Sequence, residues 1–148
     1  SFSAVSHSDV LCCLINKQEV LKECRRVIHS SGLMAFTVIS IQPNLSDQDR
    51  KQAIQVSPDF VESEVDYRTM LKNTGWTLIS YEDITEEFKI SCQRMMLAEE
   101  ELEEDLRDLK GSMEFEEGKV AWELKLKAFN KGLLRRELFV VKPIKYQN

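Results

Sequence analysis

The chain is 148 residues long, about one domain, with 43% hydrophobic and 30% charged residues and a formal net charge of −5. A chain of this size buries a core without staples. No apolar run approaches the ~20 residues of a membrane-spanning helix, and the acidic balance argues against a nucleic-acid-binding surface, which needs an excess of Lys and Arg on one face.

Residues 2–6 read as a short strand running into a polar loop, and residues 10–15, VLCCLI, as a helical turn packed against a sheet. Asn16, with Glu19 three residues on, has the spacing of a capping box. Val20, Leu21, Cys24, Val27 and Ile28 share one face of the helix it opens, while Lys22, Glu23, Arg25 and Arg26 point to water. Ser30-Ser31-Gly32 ends that helix, with the glycine as a left-handed terminator and His29 at the negative end of the helix dipole. LMAFTVISI follows, apolar almost throughout, and so predicts a strand buried on both faces within a parallel sheet.

Ser46 with Asp49 predicts a short helix to about residue 56. Ser63 with Asp66 predicts another, carrying Val65, Met70 and Leu71 inward and stopped by Gly75, before a third strand from Trp76 to Tyr81. Residues 84–110 read as one long helix, started by Asp83 with Glu86 or by Thr85. Phe88, Met95, Leu102 and Leu109 recur every seventh residue, with Cys92, Leu106 and Met113 completing the seam for a partner helix. The carboxylates between them, Glu99 to Glu101 and Glu103 to Asp105, read as a solvated face or as a docking surface for a cation. After Gly111-Ser112, residues 114–131 form a second helix with Val120, Leu124 and Ala128 inward, joined by Trp122 and Phe129. Lys119, Lys125, Lys127 and Lys131 point outward. Residues 85–131 thus make a helical hairpin whose opposite charges meet. Gly132 ends it, and residues 133–142 are the last strand.

Four cysteines, Cys12, Cys13, Cys24 and Cys92, have no CxxC spacing and no accompanying His cluster. That pattern points to reduced thiols in a cytoplasmic protein, with no disulfide framework and no metal site.

The order of these elements resembles the second half of a class I S-adenosylmethionine-dependent methyltransferase. That family shows the form F-D-x-V, D-V-L, V-L-x-E-x-x-R-V-L-x-P-G-G-x-x-x-F. Here it appears as Phe2-Ser3-Ala4-Val5, Asp9-Val10-Leu11, Val20-Leu21-Lys22-Glu23-Cys24-Arg25-Arg26-Val27-Ile28, Ser30-Ser31-Gly32 and Phe36. Asp66-Tyr67, Leu71 and Thr74-Gly75-Trp76 look like the approach to the family's sixth strand, and Gly132 to Pro143 like its antiparallel seventh. Four departures stand out. Ser3 replaces the family's acidic residue, and of the Pro-Gly-Gly turn only Gly32 remains. The glycine-rich cofactor loop and the acidic residue of the second strand have no counterpart, and the five glycines form no GxGxG.

The resemblance implies an α/β fold, a partial Rossmann-like methyltransferase sheet that is mostly parallel with the last strand antiparallel. Its strands correspond to the family's fourth, fifth, seventh and sixth in that spatial order. Residues 1–148 are then the carboxyl-terminal part of one methyltransferase-like domain, with residues 85–131 inserted. It implies methyl transfer from S-adenosylmethionine to a small-molecule acceptor within a larger enzyme, with an incomplete cofactor site in this chain. Ser6, His7, Ser8 and Asp9 would line the methionine end of the cofactor, with Leu11 and Cys13 nearby. His7 can serve as a base or be a loop histidine without a role, Asp9 can equally be a cap, and no catalytic residue is assigned. The expected partners are the acceptor and a missing amino-terminal half or a second copy, with no nucleic acid and no membrane. A non-catalytic methyltransferase-like interaction or dimerisation module is the alternative, and a different doubly wound protein a third. If nothing precedes Ser1, the first strand becomes an uncovered, self-associating sheet edge.

Overall fold

The computed structural model describes residues 1–145. Four strands, β1 (Phe2–Ser8), β2 (Ile28–Ile41), β3 (Trp76–Asp83) and β4 (Leu134–Pro143), form one sheet in the order β1-β2-β4-β3. β1 and β2 are parallel, with Ser6 opposite Ala35 and Ser8 opposite Thr37. β3 and β4 are antiparallel, with Trp76 opposite Pro143. This is the strand order, with the antiparallel last strand, that the resemblance implies. The helices are α1 (Lys17–Val27), α2 (Asp47–Gln55), α3 (Tyr67–Asn73), α4 (Thr85–Glu101), α5 (Glu103–Lys110) and α6 (Ser112–Asn130). A single 3-10 turn, Leu11–Cys13, takes the place of the predicted helical turn.

The chain divides into two compact units. The first takes Ser1–Ser40, Pro58–Asp83 and the chain from Arg136, and the second Ile41–Ser57 and Ile84–Arg135. In the first unit, Leu21 of α1 and Met70 and Leu71 of α3 meet Met34, Phe36 and Val38 of β2, Phe139 and Val141 of β4, and Trp76 of β3. Burying each side chain of this size contributes about 1.5–3 kcal/mol. Trp76 is buried without leaving its indole N–H unpaired, because Nε1 donates to the Leu21 carbonyl at 3.1 Å. Gly75, at φ +87°, makes the turn between α3 and β3 in a conformation that side chains oppose. β1 borders the sheet. Phe2, Ala4, Ser6 and Ser8 are exposed, so this strand is covered on one face only.

In the second unit α4 and α5 pack on α6. The Phe88 ring meets Phe129 edge-on at 5.1 Å between centroids, and Cys92, Phe115, Ala128 and Phe129 are buried. Of the expected pairing between an acidic and a basic helix, Lys119 of α6 approaches Glu100 of α4 at 3.7 Å; Arg107 instead pairs with Glu103 of its own helix at 2.6 Å and, with the signs reversed, with Glu116 of α6.

Several local expectations give way. Asn16 precedes α1 but makes no side-chain cap bond. Ser30-Ser31-Gly32 is not a turn, because Ile28 is already extended at φ −82°, ψ 144° and the chain passes from helix to strand without a left-handed residue. The surplus residues form a bulge instead: Phe2 pairs with Ile28 and Ala4 with Leu33. His29 Nδ1 holds that bulge, accepting from the Ser31 amide at 3.2 Å and the Ser31 hydroxyl at 2.7 Å. Asp66, not Ser63, caps α3 by accepting from the Thr69 amide at 3.0 Å. The predicted long helix breaks at Leu102, at φ −105°, ψ 18°, and the break turns the heptad positions apart. Leu102 and Leu109 are therefore 53% and 81% exposed rather than part of a seam. On α6, Val120 and Leu124 face outward, and Phe115, which the periodicity missed, is buried.

Candidate functional site

The carboxyl end of β1 holds most of the residues that the sequence singles out. Ser6 is exposed, and His7 stands in the strand itself rather than in a loop. Ser8 ends the strand. Asp9 then takes φ +53°, a left-handed conformation that a short polar side chain tolerates better than most. The turn stays attached to the sheet because the Asp9 amide donates to the Thr37 carbonyl at 2.9 Å.

A polar cluster fixes this turn from two further strands. Arg136 of β4 reaches Asp9 with Nε at 3.2 Å from Oδ1 and with Nη2 at 3.1 Å from Oδ2. The same Nη2 donates to Ser8 Oγ at 2.9 Å and to Thr37 Oγ1 at 3.1 Å. Thr37 in turn donates to Asp9 Oδ1 at 3.1 Å, which leaves Ser8 as the donor in its 3.0 Å contact with Thr37 Oγ1. Charge-assisted bonds of this kind are shorter and stronger than neutral ones. Asp9 is thus an ion-pair partner rather than a cap. Arg136 and Thr37 were not singled out from the sequence. The one available signal was the pair Arg135-Arg136 near the start of the last strand.

His7 lies against Phe36 with ring centroids 4.9 Å apart and an 18° interplanar angle, and Phe36 stacks on Phe139 at 5.2 Å. Among the described residues neither ring nitrogen of His7 has a hydrogen-bond partner, and burial pushes its pKa below the usual histidine value. The imidazole is therefore neutral near pH 7. Leu11 and Cys12 are wholly buried, and Leu11 joins the core, so it supports the turn from beneath. Burial raises the Cys12 thiol to about 11, whereas Cys13 is exposed; both thiols point at the Asp9 carbonyl, at 3.3 and 3.4 Å. Cys12 is an inert thiol at neutral pH.

A second polar group sits within the same unit. Glu137, only 4% exposed, accepts from Ser40 Oγ at 2.5 Å and from Tyr81 Oη at 2.8 Å. Near the start of α1, a cavity of about 450 Å³ lies against the segment around Phe60 and Glu62. There the buried Lys17 ammonium donates to the carbonyls of Phe60 at 2.5 Å and Glu62 at 3.0 Å, and burial lowers its pKa. Among the described residues no group of three His, Cys, Asp or Glu side chains is placed to hold a metal ion, and no helix is long and apolar enough to cross a membrane.

Solved structures with the same arrangement include methyltransferases and cyclopropane synthases. One described as a sarcosine dimethylglycine methyltransferase from Galdieria sulphuraria superposes with a TM-score of 0.84 at 14% identity, over 99% of this chain and 54% of that one. Phosphoethanolamine N-methyltransferase 2 from Haemonchus contortus, in complex with phosphomonomethylethanolamine and S-adenosylhomocysteine, gives a TM-score of 0.77 at 18% identity, over 98% of this chain and 34% of that one. A cyclopropane synthase from Mycobacterium tuberculosis gives 0.70 at 11%, over 95% and 55%. The chain thus has the class I methyltransferase fold and spans about a third to a half of the length of these structures. No protein-family model and no curated protein matches the sequence.

Proposed function

We propose that this chain forms the carboxyl-terminal wall of an S-adenosylmethionine-dependent methyltransferase that acts on a small-molecule acceptor in the cytoplasm. The glycine-rich half of its cofactor site would come from residues outside this sequence or from a partner chain. The observation that carries the reading is the strand order β1-β2-β4-β3 with an antiparallel β3–β4 pair, which makes β1 the border strand. In open α/β sheets ligands bind outside the carboxyl ends of the strands, where strand order reverses, and in this family that point falls at the strand matching β1. The polar turn held by Arg136 stands at that end. Similar structures holding S-adenosylhomocysteine support the choice of cofactor.

When bound, the cofactor supplies an electrophilic methyl group that passes in line to a lone pair of the acceptor. This chain's residues have positioning work to do, which is most of what such a displacement needs. Ser6, Ser8 and the Asp9 turn would face the methionine end, with Cys13 nearby and Leu11 behind them. His7, neutral and stacked on Phe36 with both ring nitrogens buried, would help hold β1 in place rather than act as a base. The net charge of −5 favours a small acceptor over nucleic acid.

Calorimetric titration with S-adenosylhomocysteine tests the reading. The 148 residues alone should show no micromolar binding, and the same chain joined to a glycine-rich strand-turn-helix half should show it. Micromolar binding by the chain alone would overturn the one-sided wall. Absence of binding by the joined protein would overturn the methyltransferase reading.

A further inference from the structure

α6 carries an exposed stripe that its own unit does not use. Met113, Val120 and Leu124 are 77%, 50% and 49% exposed, and Glu117, Lys127 and Lys131 are exposed as well. Their spacings of three, four and seven residues place the first five on one face of the helix, with Lys131 at its C-cap continuing the line. Phe115 and Phe129 lie on the face that packs within the unit, and the buried Ala128, four residues past Leu124, bounds the exposed stripe at its carboxyl-terminal end. Three outward apolar side chains in line on one 19-residue helix form a patch of the kind that marks an interaction surface.

The charges along the stripe say what covers it. The amino-terminal half is acidic on balance, with Glu114, Glu116 and Glu117 against Lys119, and the carboxyl-terminal half basic on balance, with Lys125, Lys127 and Lys131 against Glu123. Glu116 is taken up by Arg107, Lys125 lies over the Trp122 ring at 4.7 Å, and Lys131 reaches Gln52 at 3.3 Å, whereas Glu117 and Lys127 project from the stripe itself. The stripe is also symmetric in sequence about position 122: Val120 and Leu124 lie two residues to either side, Glu117 and Lys127 five, and Met113 and Lys131 nine. A second α6 laid antiparallel on the first would set Val120 against Leu124 and Leu124 against Val120. It would also set Glu117 against Lys127 twice over. A parallel pair would oppose Glu117 to Glu117 and Lys127 to Lys127.

We propose that this face of α6 is a two-fold interface with a second copy of the same chain, the two helices antiparallel about position 122. Such an isologous contact needs a patch complementary to itself, and this one sets Val120 against Leu124 and Glu117 against Lys127 on both sides of the axis, with Met113 beside Lys131 at its ends. A two-helix contact is smaller than a standard protein interface, so the association is weak and rises with concentration. It weakens as salt is added, because the charged pairs flank the contact in water. The inference does not depend on the methyltransferase reading, since it uses no cofactor.

Sedimentation of the full chain from about 10 μM to about 1 mM, the range of weak affinities, tests it. The expected result is a reversible monomer–dimer equilibrium. Leu124→Glu should leave monomer throughout, with the circular dichroism spectrum and unfolding midpoint unchanged, because Leu124 is half exposed. Glu117→Lys and Lys127→Glu should each weaken the dimer about tenfold, by replacing two attractive pairs with two repulsive ones. An equimolar mixture of these two variants should recover association, as should one chain carrying both changes. A wild-type chain that stays monomeric over the whole range would overturn the proposal. So would a dimer that survives Leu124→Glu, or a double charge reversal that fails to restore what each single change removed.

Discussion

Gly32 and His7 show how single side chains shape the wall at β1. A Cβ built on Gly32 would lie 2.7 Å from Ile28 Cγ1 and 2.9 Å from the Ser3 carbonyl oxygen, so the glycine is set by the close approach of β1 and β2 at the bulge. The Ile28 side chain can rotate, but the carbonyl belongs to backbone and cannot. Gly32→Ala should destabilise the protein by about 1–3 kcal/mol, the usual cost of overpacking, as read from urea unfolding. An unchanged midpoint would mean that β1 shifts freely. His7 gives a pH effect of definite sign. Its folded pKa lies below 6.5, so the unfolded chain takes up a proton that the folded chain resists. Stability is then lost as the pH falls through 6.5 toward the folded value, and is present above it. His7→Phe keeps a ring on Phe36, leaves no unpaired buried nitrogen and cannot titrate. Between about pH 7.5 and about pH 5.5 the wild type should lose stability that the variant keeps, with carboxylate effects common to both. Parallel pH profiles would show that His7 is not held neutral.

At the scale of elements, the parts fixed by short-range chemistry were legible and the parts fixed by tertiary packing were not. Ser46 caps α2 as predicted, accepting from the Asp49 amide at 3.1 Å, and Gly75, Gly111 and Gly132, all at positive φ, stop segments where the sequence places stops. The largely apolar run of β2 at residues 34–40 follows from residue type, although Leu33 just before it is 49% exposed where burial on both faces is expected, and the place of β1 in the sheet follows from the resemblance alone. The bulge at Ser30-Ser31-Gly32 does not, because a glycine needed for close approach and one needed for a left-handed turn look alike in sequence. Nor does the outward face of α6, since a stripe of Val120 and Leu124 reads as inward when no partner is known. Ser6 to Asp9 are named from the resemblance alone, and Arg136 and Thr37 join that turn only through strand order. The cap on α3 offers a direct check at this scale. Asp66 accepts from the Thr69 amide and hydroxyl, and these bonds hold its carboxyl below the usual range. Asp66→Ala should cost about 1 kcal/mol at neutral pH. The difference should shrink as acid protonates Asp66 in the wild type, and a loss independent of pH would point to packing rather than to the cap.

At the scale of the whole molecule, two units with separate cores predict two levels of stability. The first unit buries Trp76, Phe36, Phe139, Met34, Leu21 and Leu71 almost completely. In α4 to α6 the buried apolar side chains are Cys92, Phe115, Ala128 and Phe129, while Ile90, Leu97, Leu102, Leu109, Met113, Val120 and Leu124 stay about half exposed or more. Helices with so little buried apolar area open at lower free energy than a sheet packed on both neighbours, so opening should be local to them. Native-state hydrogen exchange should therefore show the amides of α4 to α6 opening well below the free energy of β2 and β4. Phe129→Ala sharpens the comparison. It removes the ring that Phe88 meets edge-on and should cost the second unit about 3–5 kcal/mol. That loss should appear in α4 to α6 and leave the slowest amides of β2 unchanged. An equal loss of protection in β2 would mean that the two cores open together, and that the helices are held by something other than their own packing.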